Sequence, residues 1–396
     1  MAASTIAVYL GCRKETGGTF QYARTLLHAL ARACPPDLRI VALSPAGTEW
    51  REIAEQFDVQ GRRVPALSLA DRVAGKALRT LGGANPPRRL LSLATPLGRT
   101  LDALGAKVCL YTEYEHYSFE LATPSLIPIH DLMHRYESRF SENRAYADPD
   151  GFFIKICNGA AGILVDSDVG RDQLVESYGP FPAAVHVLPY IPADYVYDES
   201  LLEPDPGVDA LLESLPERFL FYPAQFWEHK NHVRLIDAVL AAAKRCPDIH
   251  LVLAGSPKNF YHAVVAHIEA TGAAGRVSML GYVSDAAKLA LFRRARALVM
   301  PTFFGPTNIP PLEAFQLGCA VAASRIYAMP EQLGDAALFF DPASTDEMQD
   351  AIECLWTDDA LCAELVHRGR ERAAAWGPEQ FSARLWEIVE ATLGTA

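Results

Sequence analysis

Short apolar runs alternate with stretches of helical period along most of the chain. Runs at residues 5–10, 38–43, 108–111, 126–129, 162–166 and 185–188 predict strands of a first domain, and runs at 219–222, 250–255, 277–280, 297–300, 320–323 and 336–340 predict strands of a second. Between them lie helical patterns, such as residues 231–245, with Val233, Ile236, Val239 and Leu240 on one face. Strands that alternate with helices predict parallel sheets covered by helices on both faces. In such sheets ligands bind at the carboxyl ends of the strands.

The stretch around residues 192–218 breaks this rhythm. It holds Pro192, Pro204, Pro206 and Pro216 among acidic residues, with no sustained period. It divides the chain into a first domain at 1–195, a linker at 196–217 and a second domain at 218–376. A terminal amphipathic segment, 377–396, carries Phe381, Leu385, Trp386 and Val389 on one face.

Composition narrows the class. The 396 residues carry a formal net charge of −12, which argues against a general nucleic-acid binder. The eight cysteines form no CxxC pair or Cys/His cluster and read as reduced core residues of a cytoplasmic protein. No basic segment precedes the first strand, so no signal peptide is expected. No apolar run reaches the length of a membrane span, and membrane association is expected only at the periphery. One segment opposes the acidic balance. Residues 62–101 hold Arg62, Arg63, Arg72, Lys76, Arg79, Arg88, Arg89 and Arg99 against Asp71, with leucine, valine and alanine interleaved. This mixture fits contact with an anionic membrane, and equally a solvated helix pair with its arginines facing out.

Candidate chemistry gathers at strand ends. After the run at 297–300 comes a turn through Gly305, Pro306, Thr307 and Asn308, and Pro310 and Pro311 suit the start of a helix. Unpaired amides of Asn308 and Ile309 and the helix dipole there favour an anion or sugar hydroxyls, and Glu313 is expected in the first turn. Lys230 stands before a helix expected to open at Asn231, an apt N-cap, which suits a diphosphate. Gly17 and Gly18 follow the first strand without the GxGxxG spacing of a dinucleotide site. His130 and Asp131 end another strand, and Gly255, Gly281, Tyr282 and Val283 end two more. His134, Arg135 and Glu137 read as a solvated face. Glu228, His229 and His232 lack a full metal ligand set. Each feature alone also reads as ordinary loop chemistry.

The ordered series resembles the family-4 retaining glycosyltransferases (glycosyltransferase group 1). It runs through Gly17-Gly18, His130-Asp131, Val165-Asp166-Ser167, His229-Lys230-Asn231, Leu253-Ala254-Gly255, Gly281-Tyr282-Val283 and Pro310-Pro311-Leu312-Glu313. The resemblance implies an α/β GT-B fold, with two Rossmann-like domains facing across a cleft and a C-terminal helix crossing back to the first. It also implies a nucleotide-sugar donor held by the second domain and an acceptor held by the first. Lys230 would neutralise the diphosphate, Glu313 would bond the ribose, and His130 would contact the donor sugar. Gly17, Gly18, Asn308 and Ile309 would supply backbone. No metal or other cofactor is implied.

Two positions depart from the family pattern. Gly305 stands where an acid is usual, and Gln225 where an arginine is usual. Thr307 and Asn308 can bond sugar hydroxyls without charge, and Gln225 can bond a phosphate oxygen. The HKNH and GPTN sequences are similar to those of bacterial O-antigen transferases. That favours mannose or a related 6-deoxyhexose, and a GDP-sugar over a UDP- or dTDP-sugar. The expected acceptor is a glycan or lipid-linked glycan, met in the cytoplasm or at the inner face of the membrane. The alternative is a GT-B protein that binds nucleotide-sugar without transfer, or that is otherwise repurposed.

Overall fold

The computed structural model describes residues 4–13, 17–45, 48, 50–82, 87–145, 148–305 and 307–395. Among them are thirteen strands in two sheets. The first sheet comprises β1 (Ser4–Tyr9), β2 (Leu38–Pro45), β3 (Gln60–Val64), β4 (Ala106–Tyr111), β5 (Ser125–Pro128), β6 (Gly162–Val165) and β7 (Ala184–Val187). The second comprises β8 (Leu220–Pro223), β9 (Leu251–Ala254), β10 (Val277–Met279), β11 (Ala297–Met300), β12 (Ala320–Ser324) and β13 (Leu338–Phe340). Their orders are β3-β2-β1-β4-β5-β6-β7 and β10-β9-β8-β11-β12-β13. Each described pairing is parallel, for example Ala7 against Val41 and Cys109, and Leu298 against Phe221 and Val321.

Parallel strands covered on both faces need apolar side chains at every position. The central strands meet that demand. Ile6, Ala7 and Val8 are fully buried, as are Leu298, Val299, Val321 and Ala322. These uninterrupted runs are why twelve of the strands were legible. The strand missed was β3. Its Gln60, Gly61, Arg62 and Arg63 are exposed, and only Val64 is buried. An edge strand needs little apolar surface, and its arginines discourage further pairing.

In both sheets the strand order reverses once, between β1 and β4 in the first and between β8 and β11 in the second. The crevice beyond such a reversal is the usual ligand position of an open parallel sheet.

The chain divides into two compact units. The first is Met1–Leu132, Asp148–Tyr190 and Pro378–Ala396, and the second is Met133–Ala147 and Ile191–Gly377. The C-terminal helix, Pro378–Thr395, thus belongs with the first half of the chain. It buries Phe381, Leu385, Trp386, Ile388 and Val389. Each such side chain contributes roughly 1.5–3 kcal/mol on burial. Trp386 Nε1 donates to the Leu30 carbonyl at 3.2 Å, and Ser382 Oγ donates to that of Ala29. Both carbonyls lie on the helix Gly18–Arg32.

Residues 196–217, expected as a linker, group with the second unit. They include the short helix Val208–Glu213. Just before them, Tyr195 is buried with Ala193, Val196 and Leu289, and Tyr195 Oη donates to Asp285 at 2.8 Å. Proline and acid there marked irregular backbone, which is packed nonetheless. Residues 133–147, placed by sequence in the first domain, also group with the second unit.

Candidate functional site

In the second unit the loop after β8 carries Gln225, Lys230 and Asn231. Gln225 Oε1 accepts from Trp227 Nε1 at 2.9 Å. A short 3-10 turn, Glu228–Lys230, is followed by Asn231 in the left-handed region, with φ 62°. Asn231 occupies the N-cap position of the helix His232–Ala242, but its side chain makes no capping bond. Its Nδ2 donates to the carbonyls of Pro301 at 3.0 Å and Pro342 at 2.9 Å. The asparagine therefore ties the loop after β8 to the end of β11. Phe303 N–H donates to the His229 carbonyl at 2.8 Å and adds a second tie.

The four side chains of His229-Lys230-Asn231-His232 do separate jobs. His229 Nδ1 lies 2.9 Å from Glu142 Oε1. Burial holds its pKa down at about 4, so a neutral imidazole donates to the carboxylate. His232 is fully buried and stacks on Phe226, centroids 4.5 Å apart. Glu228 accepts from Ser141 at 3.1 Å. Glu228, His229 and His232 do not converge, and among the described residues no group of three or more His, Cys, Asp or Glu gathers as a metal site.

Lys230 is the member aimed at the other loop. Its Nζ donates to Asn308 Oδ1 at 3.4 Å, while its carbonyl accepts from Tyr222 Oη at 3.1 Å. Lysine and asparagine thus meet at the strand reversal of the second sheet. The structure also explains Gly305. With φ 115°, it lies against Asn308, and a Cβ there would come within 2.8 Å of Asn308 Nδ2. The asparagine amide fills the space a side chain at 305 would take. Pro306 lies outside the described residues. Thr307 and Asn308 are buried.

Two expectations about this loop change. The Asn308 N–H is not unpaired, because it donates to Gln332 Oε1 at 3.0 Å, and Gln332 Nε2 donates back to the Asn308 carbonyl at 2.9 Å. Pro310 and Pro311 carry no N–H, so Ile309 keeps the one amide of the first three helical positions. The amide contribution is thinner than the loop sequence suggested. Glu313 is also displaced from its expected place. The helix opens at Ile309, which puts Glu313 in its second turn, buried, with Oε1 accepting from Lys288 Nζ at 2.8 Å.

Lys288 went unnoticed in the sequence. Its Nζ also lies 2.8 Å from Tyr195 Oη and 3.7 Å from Asp285. Burial alone would lower its pKa, but Glu313, Tyr195 and Asp285 outweigh it and hold the ammonium charged. A lysine three residues inside a helix gives no local signal of such a role.

Gly255 lies at the end of β9, where a Cβ would be 2.2 Å from the Ala224 carbonyl oxygen. Only glycine permits the loop after β8 to approach so closely. Its N–H donates to the Gly281 carbonyl at 2.7 Å. Tyr282 beside it is exposed, and Val283 packs against the core.

In the first unit the reversal between β1 and β4 holds a different set. Gly17, with φ 66°, caps the helix that begins at Gly18. His130 follows β5. Its Nδ1 is 2.7 Å from Tyr190 Oη, and its backbone N–H donates to Tyr114 Oη at 3.1 Å. Tyr22 meets its ring edge-on, centroids 4.8 Å apart. His130 Nε2 is buried and has no hydrogen-bond partner among the described residues. Burial pushes its pKa down to about 4, so the imidazole is neutral near pH 7. A buried nitrogen left unpaired is costly and points to a polar ligand atom. After β4, Glu115 is pushed up to about 7 by burial and then by Glu113. The three tyrosines around His130 come from distant positions in the chain and could be found only once the fold joined them.

Glu137 is not part of a solvated face. It accepts from Tyr327 Oη at 3.0 Å and pairs with Arg139 at 2.8 Å. Its tie to residue 327 reflects the grouping of 133–147 with the second unit.

Two parallel sheets of this order define a GT-B architecture. The Anabaena protein HepE, solved in complex with UDP and glucose, superposes with a TM-score of 0.70 at 15% identity, covering 99% of this chain and 100% of its own. Residues 209–372 are a glycosyl transferases group 1 domain. The chain is similar to O-antigen chain mannosyltransferase B of Escherichia coli, at 34% identity over 113 residues, and spans 28% of each chain. It is also similar to an Escherichia coli serotype-specific mannosyltransferase, WbdA, at 27% identity over 155 residues. That match covers 38% of this chain and 19% of the relative.

Proposed function

We propose that this chain is a retaining glycosyltransferase. It moves a hexose, with mannose or a related 6-deoxyhexose favoured, from a GDP-sugar to a glycan or lipid-linked glycan. The observation that carries this reading is the meeting of Lys230 and Asn308 at the strand reversal of the second sheet, inside the group 1 domain. Breaking the anomeric C–O bond leaves negative charge on the diphosphate and positive character on the sugar. Lys230, the Ile309 amide and the helix dipole supply the opposite charge to the diphosphate. The two Escherichia coli mannosyltransferases support mannose.

His130 Nε2 is buried without a hydrogen-bond partner among the described residues and is the natural partner of a donor-sugar hydroxyl. Gly17, Gly18, Gln225, Asn231, Gly255, Tyr282, Val283, Thr307, Asn308 and Ile309 complete the donor set in this reading. Lys230 replaces a metal ion as the charge on the diphosphate. No carboxylate in the donor set is placed as a nucleophile, so a donor phosphate oxygen accepts the proton of the attacking hydroxyl on the same face of the sugar.

Thermal denaturation in the presence of EDTA tests the donor part of this reading. GDP raises the melting temperature with the chelator present, and does so more than UDP or dTDP at equal concentration. A shift that appears only with added Mg²⁺ or Mn²⁺ contradicts the metal-independent site, and a larger shift with UDP contradicts the choice of base.

A further inference from the structure

The helix Leu69–Gly82 is amphipathic in the reverse sense of a packed surface helix. Gly75 is its buried residue among those described. The inward side carries Asp71, Gly75 and Arg79, and Arg79 forms two bonds with Glu120 at 2.7 and 2.6 Å. Asp71 is held by Arg99 at 3.0 Å. At 100° per residue, Leu69, Ala70, Val73, Ala74, Ala77 and Leu81 fall on the opposite arc. That arc faces solvent, with Leu69 78%, Val73 62% and Leu81 85% exposed. The neighbouring helix, Arg88–Ala94, adds exposed Leu90 and Leu93.

Nine large apolar side chains are exposed among the described residues, and six of them, Leu67, Leu69, Val73, Leu81, Leu90 and Leu93, fall between 67 and 93. Single exposed leucines need no explanation, but this concentration does. Charge says what covers it. Arg72, Lys76, Arg88 and Arg89 are exposed in the same two helices. None of the four has an ion-pair partner among the described residues. They form a cationic border on a protein of net charge −12. A second copy of this chain meeting the patch face to face brings an identical cationic border and is a poor match. An anionic bilayer satisfies both halves of the patch, with phosphates for the basic side chains and the acyl boundary for the leucines.

We propose that residues 67–82 and 87–93 dock this protein on the surface of an anionic lipid bilayer, with the outward arc of Leu69–Gly82 lying in the interface. This goes beyond the donor chemistry and does not depend on it, since binding is read without donor or acceptor. Flotation with vesicles of equimolar phosphatidylcholine and phosphatidylglycerol, compared with phosphatidylcholine alone, tests it. Binding to the anionic vesicles is expected, with little to the neutral ones. Each basic residue near an anionic surface contributes about fivefold to partitioning. The variant Arg72→Ser, Lys76→Ser, Arg88→Ser, Arg89→Ser should therefore lose on the order of a hundredfold or more. Leu69→Gln, Val73→Gln, Leu81→Gln should lose binding with its charges intact. All seven positions are exposed, so both variants should melt as wild type does. Absence of wild-type flotation, or flotation unchanged in either variant, overturns the proposal. So does self-association that the glutamine variant abolishes while no vesicle binding is seen, since a second copy would then cover the face.

Discussion

Lys230→Ala is expected to slow sugar transfer on the order of 10²–10³-fold while the protein stays folded, as removal of a charge-stabilising donor does in other active sites. In the proposed mechanism the loss is in rate because the ammonium opposes charge that grows on the diphosphate as the anomeric bond breaks. The loop itself survives the change. Its ties run through the Asn231 side chain to Pro301 and Pro342, through Phe303 N–H to the His229 carbonyl, and through Tyr222 Oη to the Lys230 carbonyl. Initial rates and a thermal melt on the same preparation check this. A folded Lys230→Ala protein that transfers sugar at a near wild-type rate removes the lysine from the mechanism.

Glu313→Ala is expected to act first on stability. Lys288 would remain buried beside Tyr195 with its 2.8 Å carboxylate gone and Asp285 left at 3.7 Å. Breaking a buried ion pair from one side costs about 3–5 kcal/mol, and Asp285 keeps the cost near the lower end. For a unit of this size about 3 kcal/mol corresponds to a drop of roughly 6–12 °C in the melting temperature. Lys288→Met combined with Glu313→Leu should recover much of that loss, because no unpaired charge remains. The ribose contact that the family resemblance implies is a separate effect, read by calorimetry with GDP below the melting point, where loss of a charged hydrogen bond costs about 1.5–3 kcal/mol. An unchanged melting temperature contradicts the structural role of the pair, and unchanged GDP affinity contradicts the ribose role.

The contrast between these two residues shows what a sequence carries. Lys230 was legible because it sits between a strand end and a helix start, a position defined by local pattern alone. Glu313 was also visible, but its partner Lys288 comes from a different helix, and the pairing depends on how two helices pack. His130 stood out at the end of β5, whereas Tyr22, Tyr114 and Tyr190 are joined to it only by the order of strands in the sheet. The buried strands announced themselves through unbroken apolar runs. The edge strand β3 did not, because its residues face water. The basic island was plain in the composition of 62–101, but which arginines are spent on Glu120 and Asp71, and which arc of Leu69–Gly82 faces outward, required the packed helix.

The central claim is that the group 1 domain of this chain binds a nucleotide-sugar and breaks its anomeric bond with Lys230. Nucleotide release from a panel of GDP-mannose and the corresponding UDP- and dTDP-sugars, with and without a glycan acceptor and in parallel with Lys230→Ala, tests it most directly. The expected result is slow release of GDP from GDP-mannose alone, faster release with acceptor, and loss of both in the variant. A folded wild-type protein that binds nucleotide yet releases none from any donor, or a release rate indifferent to Lys230, would contradict it.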